Sequence, residues 1–276
     1  MRRSSCVGER SDGGRRDPCG AAAVKALALA AALLAAQSSA DGRPEDTEVW
    51  MPEVPVVRPG PYAPAPPPAD AIILFDGRDL SQWASVRDGS PARWTVKDGV
   101  ITVAKGTGNI QTRHSFGSYQ LHLEWRIPAG ITGEGQARGN SGVFLASTGE
   151  GDEGYELQVL DSYRNRTYVN GQVGSIYKQV APLANPSRPP GEWQSYDVIW
   201  TAPTFGADGT VARPAAVTAL LNGVLVQDHA IVKGPTRYIG QPHYVPHGRT
   251  PIKLQDHGDP SAPISFRNIW VRELRR

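Results

Sequence analysis

In LHLEWR (Leu121 to Arg126), large apolar and polar side chains alternate without a break. A period of two puts Leu121, Leu123 and Trp125 on one face of a strand and His122, Glu124 and Arg126 on the other. A half-buried strand of this kind must pair and stack, which points to layered antiparallel sheets. The same alternation recurs in YELQV (Tyr155 to Val159), with Glu156 and Gln158 opposite Tyr155, Leu157 and Val159. It recurs again from Ile252 to His257, where Lys253, Gln255 and His257 oppose Ile252 and Leu254. Further strands are expected at 94–96, 100–103, 142–145, 196–200, 217–221, 224–226 and 264–272. Lys97-Asp98-Gly99 and Asn222-Gly223 supply hairpin turns, since Asn, Asp and Gly tolerate positive φ. With Gly 30 and Pro 24 and no amphipathic helical pattern, the chain is expected to be all-β. The expected architecture is a jelly-roll β-sandwich of two antiparallel sheets over 70–276.

The ends read differently. Residues 1–25 are basic, an apolar run follows (Ala26 to Ala36), and Ser38-Ser39-Ala40 supplies small residues. That order is a secretory signal, residues 1–40, cut near Ala40. The run is about half of the roughly 20 residues a membrane span needs, so no span is expected in the mature chain. Arg15-Arg16 lacks the apolar residues that follow a twin-arginine signal, and no cysteine follows the apolar run to form a lipoprotein box. The mature protein is expected to be exported, periplasmic or extracellular. Residues 41–69 are dense in proline and read as a semi-rigid linker or an arm lying on the domain.

Charge and cysteines exclude several functions. Residues 1–40 hold six Lys/Arg and three Asp/Glu, leaving 23 against 24 beyond them. The mature chain has no basic excess to neutralise phosphates, so no nucleic-acid partner is expected. Cys6 and Cys19 both precede the cleavage point, which removes disulfides, thiolate zinc and a cysteine nucleophile from consideration. No Gly-x-Ser-x-Gly, phosphate loop or dinucleotide fingerprint is present.

ILFDGRDLSQW (Ile73 to Trp83), GNSGVFL (Gly139 to Leu145), GYELQVLDS (Gly154 to Ser162), GSIY (Gly174 to Tyr177), GEWQSYDV (Gly191 to Val198), LNGVLV and LQDHG…FRNIWVREL occur in order across 70–275. Together they resemble the 3-keto-disaccharide hydrolase domain family, similar in fold to concanavalin A-like lectins and glucanases. Gly174-Ser175 departs from that family's usual residues, and Pro203 to Pro214 looks like an insertion. The resemblance implies cleavage of a glycoside whose 3-hydroxyl is already a ketone. A ketone at C3 acidifies the hydrogen on C2, so a base can form the enolate and expel the C1 substituent. Such a site needs a base near C2, a donor at the ketone oxygen and an acid for the leaving group. A two-carboxylate oxocarbenium route is the alternative.

The acid and base candidates are Glu156, Asp161 and Glu124, with His257 as a base or as polariser of the ketone. Asn140, Gln158 and Gln255 suit sugar hydroxyls because amides both donate and accept. Tyr177 and Trp193 could stack on a pyranose, and Arg267 could hold an oxyanion. Glu124, Asn140, Glu156, Gln158, Gln255, His257 and Arg267 are expected to line one cleft. No cofactor is evident. His243 and His247 sit in a proline-rich loop without a third ligand, and a divalent site of carboxylates and carbonyls stays open. The expected ligand is an oligosaccharide or glycoside. The competing reading is a non-catalytic, lectin-like carbohydrate-binding module of the cell envelope, since fold does not dictate function.

Overall fold

The two hairpin signals form as expected, for a visible backbone reason. Asp98 and Gly99 have φ of 51° and 76°, and Asn222 and Gly223 have 53° and 79°. Two successive left-handed residues give the turn whose twist matches a paired ribbon. The computed structural model describes residues 42–274. In chain order its strands are β1 (Ile72–Phe75), β2 (Trp83–Ser85), β3 (Thr95–Lys97), β4 (Val100–Thr102), β5 (Ile110–Thr112), β6 (Tyr119–Arg126), β7 (Asn140–Ser147), β8 (Gly154–Leu160), β9 (Trp193–Thr201), β10 (Thr204–Phe205), β11 (Val211–Arg213), β12 (Ala216–Leu221), β13 (Val224–Ile231), β14 (Lys253–Leu254) and β15 (Ser265–Glu273). The described helices are short 3-10 turns. None is long and apolar enough to cross a membrane.

The strands form a jelly-roll β-sandwich. A large sheet of eight strands runs β13-β12-β9-β6-β15-β4-β3, with β1 on β15, and a small sheet of five runs β2-β5-β14-β7-β8. The described pairs within both sheets are antiparallel. Alternation chose the inner faces correctly. Leu121, Leu123 and Trp125 of β6 and Tyr196, Val198 and Trp200 of β9 enter the same core as Val143, Leu145, Tyr155, Leu157 and Val159 of β7 and β8. Each buried side chain of this size contributes about 1.5–3 kcal/mol on leaving water. Two core tyrosines also tie the sheets together. Tyr119 Oη donates to the Leu145 carbonyl at 2.5 Å and Tyr196 Oη to the Gln158 carbonyl at 2.6 Å.

In the two main sheets three strands lie where none was expected, β1, β2 and β5. They are only three or four residues long, too short to show a period. The apparent insertion forms a small hairpin of its own, β10 with β11, turning at Asp208-Gly209, whose Asp208 Oδ1 caps Thr210.

From Pro44 onward the chain packs as one unit. The proline-rich segment lies along the domain as an arm. It starts with a 3-10 turn (Pro44–Thr47), makes a parallel bridge from Val56 to Asn185, and reaches the large sheet at Tyr62. The expected signal segment, 1–40, lies outside the described residues.

Candidate functional site

Strand β8 carries the centre of the site. With Tyr155, Leu157 and Val159 turned into the core, Glu156 and Gln158 must point to the outer face of the small sheet. Register sets their neighbours: Phe144 lies opposite Glu156, Gly142 opposite Gln158, and Asn140 opposite Leu160. At Gly142 a Cβ would stand 2.5 Å from Glu156 Oε1, so a side chain there would push the carboxyl out of its place. The glycine leaves the space that the carboxyl occupies. Beyond β14, Gln255 and His257 continue along the same face. A cavity of about 330 Å³ results, lined by Asn140, Asp152, Glu156, Gln158, Tyr177 and Gln255 together with Thr236, Tyr238 and His257. That volume falls at the lower end of ligand cavities.

Glu156 is 6 % exposed. Among the described residues no hydrogen bond reaches its carboxyl oxygens; its backbone N–H donates to Thr236 Oγ1 at 3.1 Å and its carbonyl accepts from Tyr177 N–H at 3.2 Å. Burial, reinforced by the nearby Asp152 carboxyl and opposed by Lys253, pushes its pKa up to about 8. It is therefore largely a neutral acid at neutral pH. Asp152 is fixed by Asn109 Nδ2, which donates to its Oδ1 at 2.9 Å. Lys253 is completely buried on the same face and spends its three donors on the carbonyls of Gly149, Gly151 and Glu153, at 3.1, 2.9 and 2.8 Å. It clasps the loop that presents Asp152. Burial draws the Lys253 pKa down to about 8.

His257 is held by Asp259. Nδ1 lies 3.0 Å from Asp259 Oδ2. Burial works against ionisation of Asp259, but hydrogen bonds from His257 and Ser261 and the charge of Lys105 hold it well below the usual carboxylate range. The Asp259 backbone N–H also meets Nδ1, at 3.2 Å, so this one residue holds the nitrogen from its side chain and its main chain, and Nε2 is the ring nitrogen left for a ligand. Among the described residues no hydrogen bond occupies that Nε2. The amides form a connected row: Gln158 Nε2 donates to Asn140 Oδ1 and Gln136 Oε1, both at 3.1 Å. Gln158 Oε1 and Gln255 Oε1 find no partner among the described residues. Buried acceptors without partners are costly and suit a polar ligand.

The structure thus brings together Glu156, His257, Asn140, Gln158, Tyr177 and Gln255, and separates the other expected residues from them. Glu124 and Arg267 do not share this cleft. They sit on the outer face of the large sheet, paired through Arg267 Nε and Glu124 Oε2 at 2.6 Å. Alternation assigns a face but not a sheet, and β6 belongs to the other sheet. Trp193 is there too, with the Arg267 guanidinium 3.9 Å and that of Arg126 4.6 Å from its ring. Asp161 follows the end of β8 outside the cavity lining. Burial raises its pKa against the pull of Arg138, whose Nε donates to its Oδ2 at 2.7 Å; a backbone N–H from Tyr163 fills Oδ1. His247 spends its Nδ1 on the Gly248 carbonyl and accepts at Nε2 from Tyr155 Oη. Among the described residues no group of three or more metal-binding side chains comes together.

Sequence reasoning missed Asp152, Thr236, Tyr238, Asp259 and Lys253 as parts of the site. Four of them lie in loops without a period, and Lys253 is a β14 residue whose alternation showed its face but not its three carbonyl partners.

The chain is similar to a solved structure from Parabacteroides distasonis assigned as a glycosyl hydrolase, with 55 % identity over 83 % of this chain and 96 % of that one and a TM-score of 0.73. A second solved structure from the same organism, also assigned as a glycosyl hydrolase, shares 24 % identity, covering 75 % of this chain and 94 % of that one with a TM-score of 0.54, which speaks for the fold alone. No curated protein matches the chain. The family model described as the 3-keto-alpha-glucoside-1,2-lyase-like domain matches residues 70–272, and the chain belongs to that carbohydrate-active family.

Proposed function

We propose that the protein cleaves the glycosidic bond of 3-keto-glycosides by base-assisted β-elimination in the cavity on the outer face of the small sheet. The observation that carries this reading is the pairing there of opposite functions. A carboxyl without partners has its pKa raised to about 8, and a histidine is held by an ionised Asp259 with its second nitrogen open. A carboxyl that keeps its proton and an imidazole nitrogen left open beside it supply an acid and a base in one cavity. A purely binding surface has no use for either.

His257 Nε2 takes the proton from C2. The electron pair passes into the enolate of the C3 ketone and then returns to form the C1–C2 double bond as the C1–O bond breaks. Glu156 gives its proton to the departing oxygen. The amides of Asn140, Gln158 and Gln255 hold hydroxyls and the enolate oxygen, while Tyr177 and Tyr238 wall the ring. The turnover leaves His257 protonated and Glu156 ionised, and exchange with solvent restores both. A larger groove, of about 790 Å³, lies between the arm and the 185–192 loop, but its lining contains Glu192 as its one acid and no histidine.

The test is incubation of the purified protein with a panel of 3-keto-glycosides and their unoxidised parents. Release of aglycone from the keto compounds alone, with an enone product, is expected. Binding without cleavage of any member would instead favour the lectin-like module, and cleavage of the unoxidised parents would favour the oxocarbenium route.

A further inference from the structure

The family match begins at residue 70, yet the wall of the cavity leans on residues before it. Lys178 is the link. Its Nζ donates to the Pro44 carbonyl at 2.6 Å and to the Tyr238 carbonyl at 2.9 Å. The same ammonium lies 4.6 Å from the Tyr238 ring centre, 5.6 Å from Tyr168 and 6.0 Å from Tyr177. Cations over tyrosine faces are held electrostatically, more strongly where water is scarce. Tyr177 and Tyr238 are the two aromatic walls of the cavity.

The same stretch of arm is gripped twice more. Asn170 accepts from Val49 N–H at 2.9 Å and donates to the Thr47 carbonyl at 2.9 Å. Trp50 meets Tyr168 edge to face at 6.0 Å, and Tyr168 Oη shares a 2.6 Å hydrogen bond with Tyr177 Oη. Lys178 also holds φ of 58°, a conformation uncommon for a residue with a side chain and sustained here by its N–H donating to Asn170 O at 2.8 Å.

We infer that the arm is a working part of the substrate site: its first turn, acting through Lys178, positions Tyr238 and Tyr177 against the sugar. Lys178 is a positioning residue, since it touches the walls and not the cavity. This rests on the reading of that cavity as the sugar site. Tyr238 is 61 % exposed, and among the described residues its carbonyl and its ring both meet Lys178.

The test uses the full chain carrying Lys178→Met, which keeps length and loses the charge and both hydrogen bonds. KM for a 3-keto-glycoside is expected to rise about tenfold with kcat within about threefold, because ring placement acts on binding in ground and transition states alike. The pH profile of kcat is expected to stay put, and amide exchange over 44–50 and 236–240 to quicken. Lys178→Arg should restore most of the loss. Tyr62→Phe, at the far anchor of the arm, should leave KM unchanged. If Lys178→Met does not fold, Trp50→Ala, at an exposed position of the same segment, should likewise quicken exchange over 44–50 and 236–240. Unchanged exchange, a fall in kcat matching the rise in KM, or an equal KM effect from Tyr62→Phe would each overturn the inference. Should no 3-keto-glycoside be cleaved, the functional reading fails by itself and exchange alone decides whether the arm holds the wall.

Discussion

Glu124 and Glu156 occupy equivalent places on opposite outer faces of the sandwich, and their chemistry is opposite. Both are buried, at 1 % and 6 % exposure. Burial alone raises a carboxyl pKa. Around Glu124 that tendency is overcome. Asn268, Arg267 and Tyr62 donate to it, His122 stands 3.6 Å away as an ion-pair partner, and together they bring its pKa down to about 2. The bulge in β15 explains the crowd: with the register shifted after Arg267 and Asn268 at φ 46°, both residues reach the one glutamate. Burial likewise works against the charge of His122, but Asp197 and Glu124 raise its pKa to about 9. Glu156 has no such donors and stays a neutral acid. A buried carboxylate whose partners are all supplied by the protein holds the fold; a buried carboxyl left unpaired keeps its proton for something else.

The largest expected effect would break this contrast at the level of turnover. Glu156→Gln should keep the fold and cost about 10²- to 10⁴-fold in kcat, the usual weight of a general acid or base. Glu124→Gln should leave kcat within a few-fold and lower stability instead. Kinetics and thermal melts on the same two samples check both halves. Next in size, Asp259→Asn should lower kcat by about tenfold, because the His257 ring loses the carboxylate that holds it in place.

On the large sheet, Arg267→Met strands Glu124 without its closest cation. Because Arg267 is partly exposed and Glu124 keeps Tyr62, Asn268 and His122, the loss should fall below the roughly 3–5 kcal/mol of a fully buried pair, readable by urea denaturation, with no change in KM. Smaller again is a pH effect. Because the folded pKa of Glu156 lies above its unfolded value, the folded state binds more protons between about pH 4.5 and 8, so stability should fall as pH rises through that window and level off above it. The slope has an upper bound of about 1.4 kcal/mol per pH unit. Glu156→Gln should flatten it, whereas Glu124→Gln should leave it in place.

The contrast also shows what a sequence can carry. Period-two alternation in LHLEWR and YELQV correctly turned Glu124 and Glu156 outward, and Asn222-Gly223 correctly closed β12 on β13. Alternation has no information about which sheet a strand joins. β6 pairs with β9 and β15, and β8 with β7, through contacts far apart in the chain. So Glu124, Arg267 and Trp193 looked like neighbours of Glu156 when they belong to the other face. Asp259 was hidden because a loop residue two positions from a histidine carries no period. The arm was legible as proline-rich and extended, but not its grip, which depends on one lysine reaching two carbonyls.

The most direct measurement is a titration of the glutamate carboxyl carbons by ¹³C NMR from pH 3 to 9, with Glu156 and Glu124 assigned by their Gln variants. The expected result is a midpoint near 8 for Glu156 and a Glu124 carbon that stays ionised over the whole range. A Glu156 midpoint near the ordinary value of about 4.3 would contradict the acid role, and with it the division of labour between the two faces.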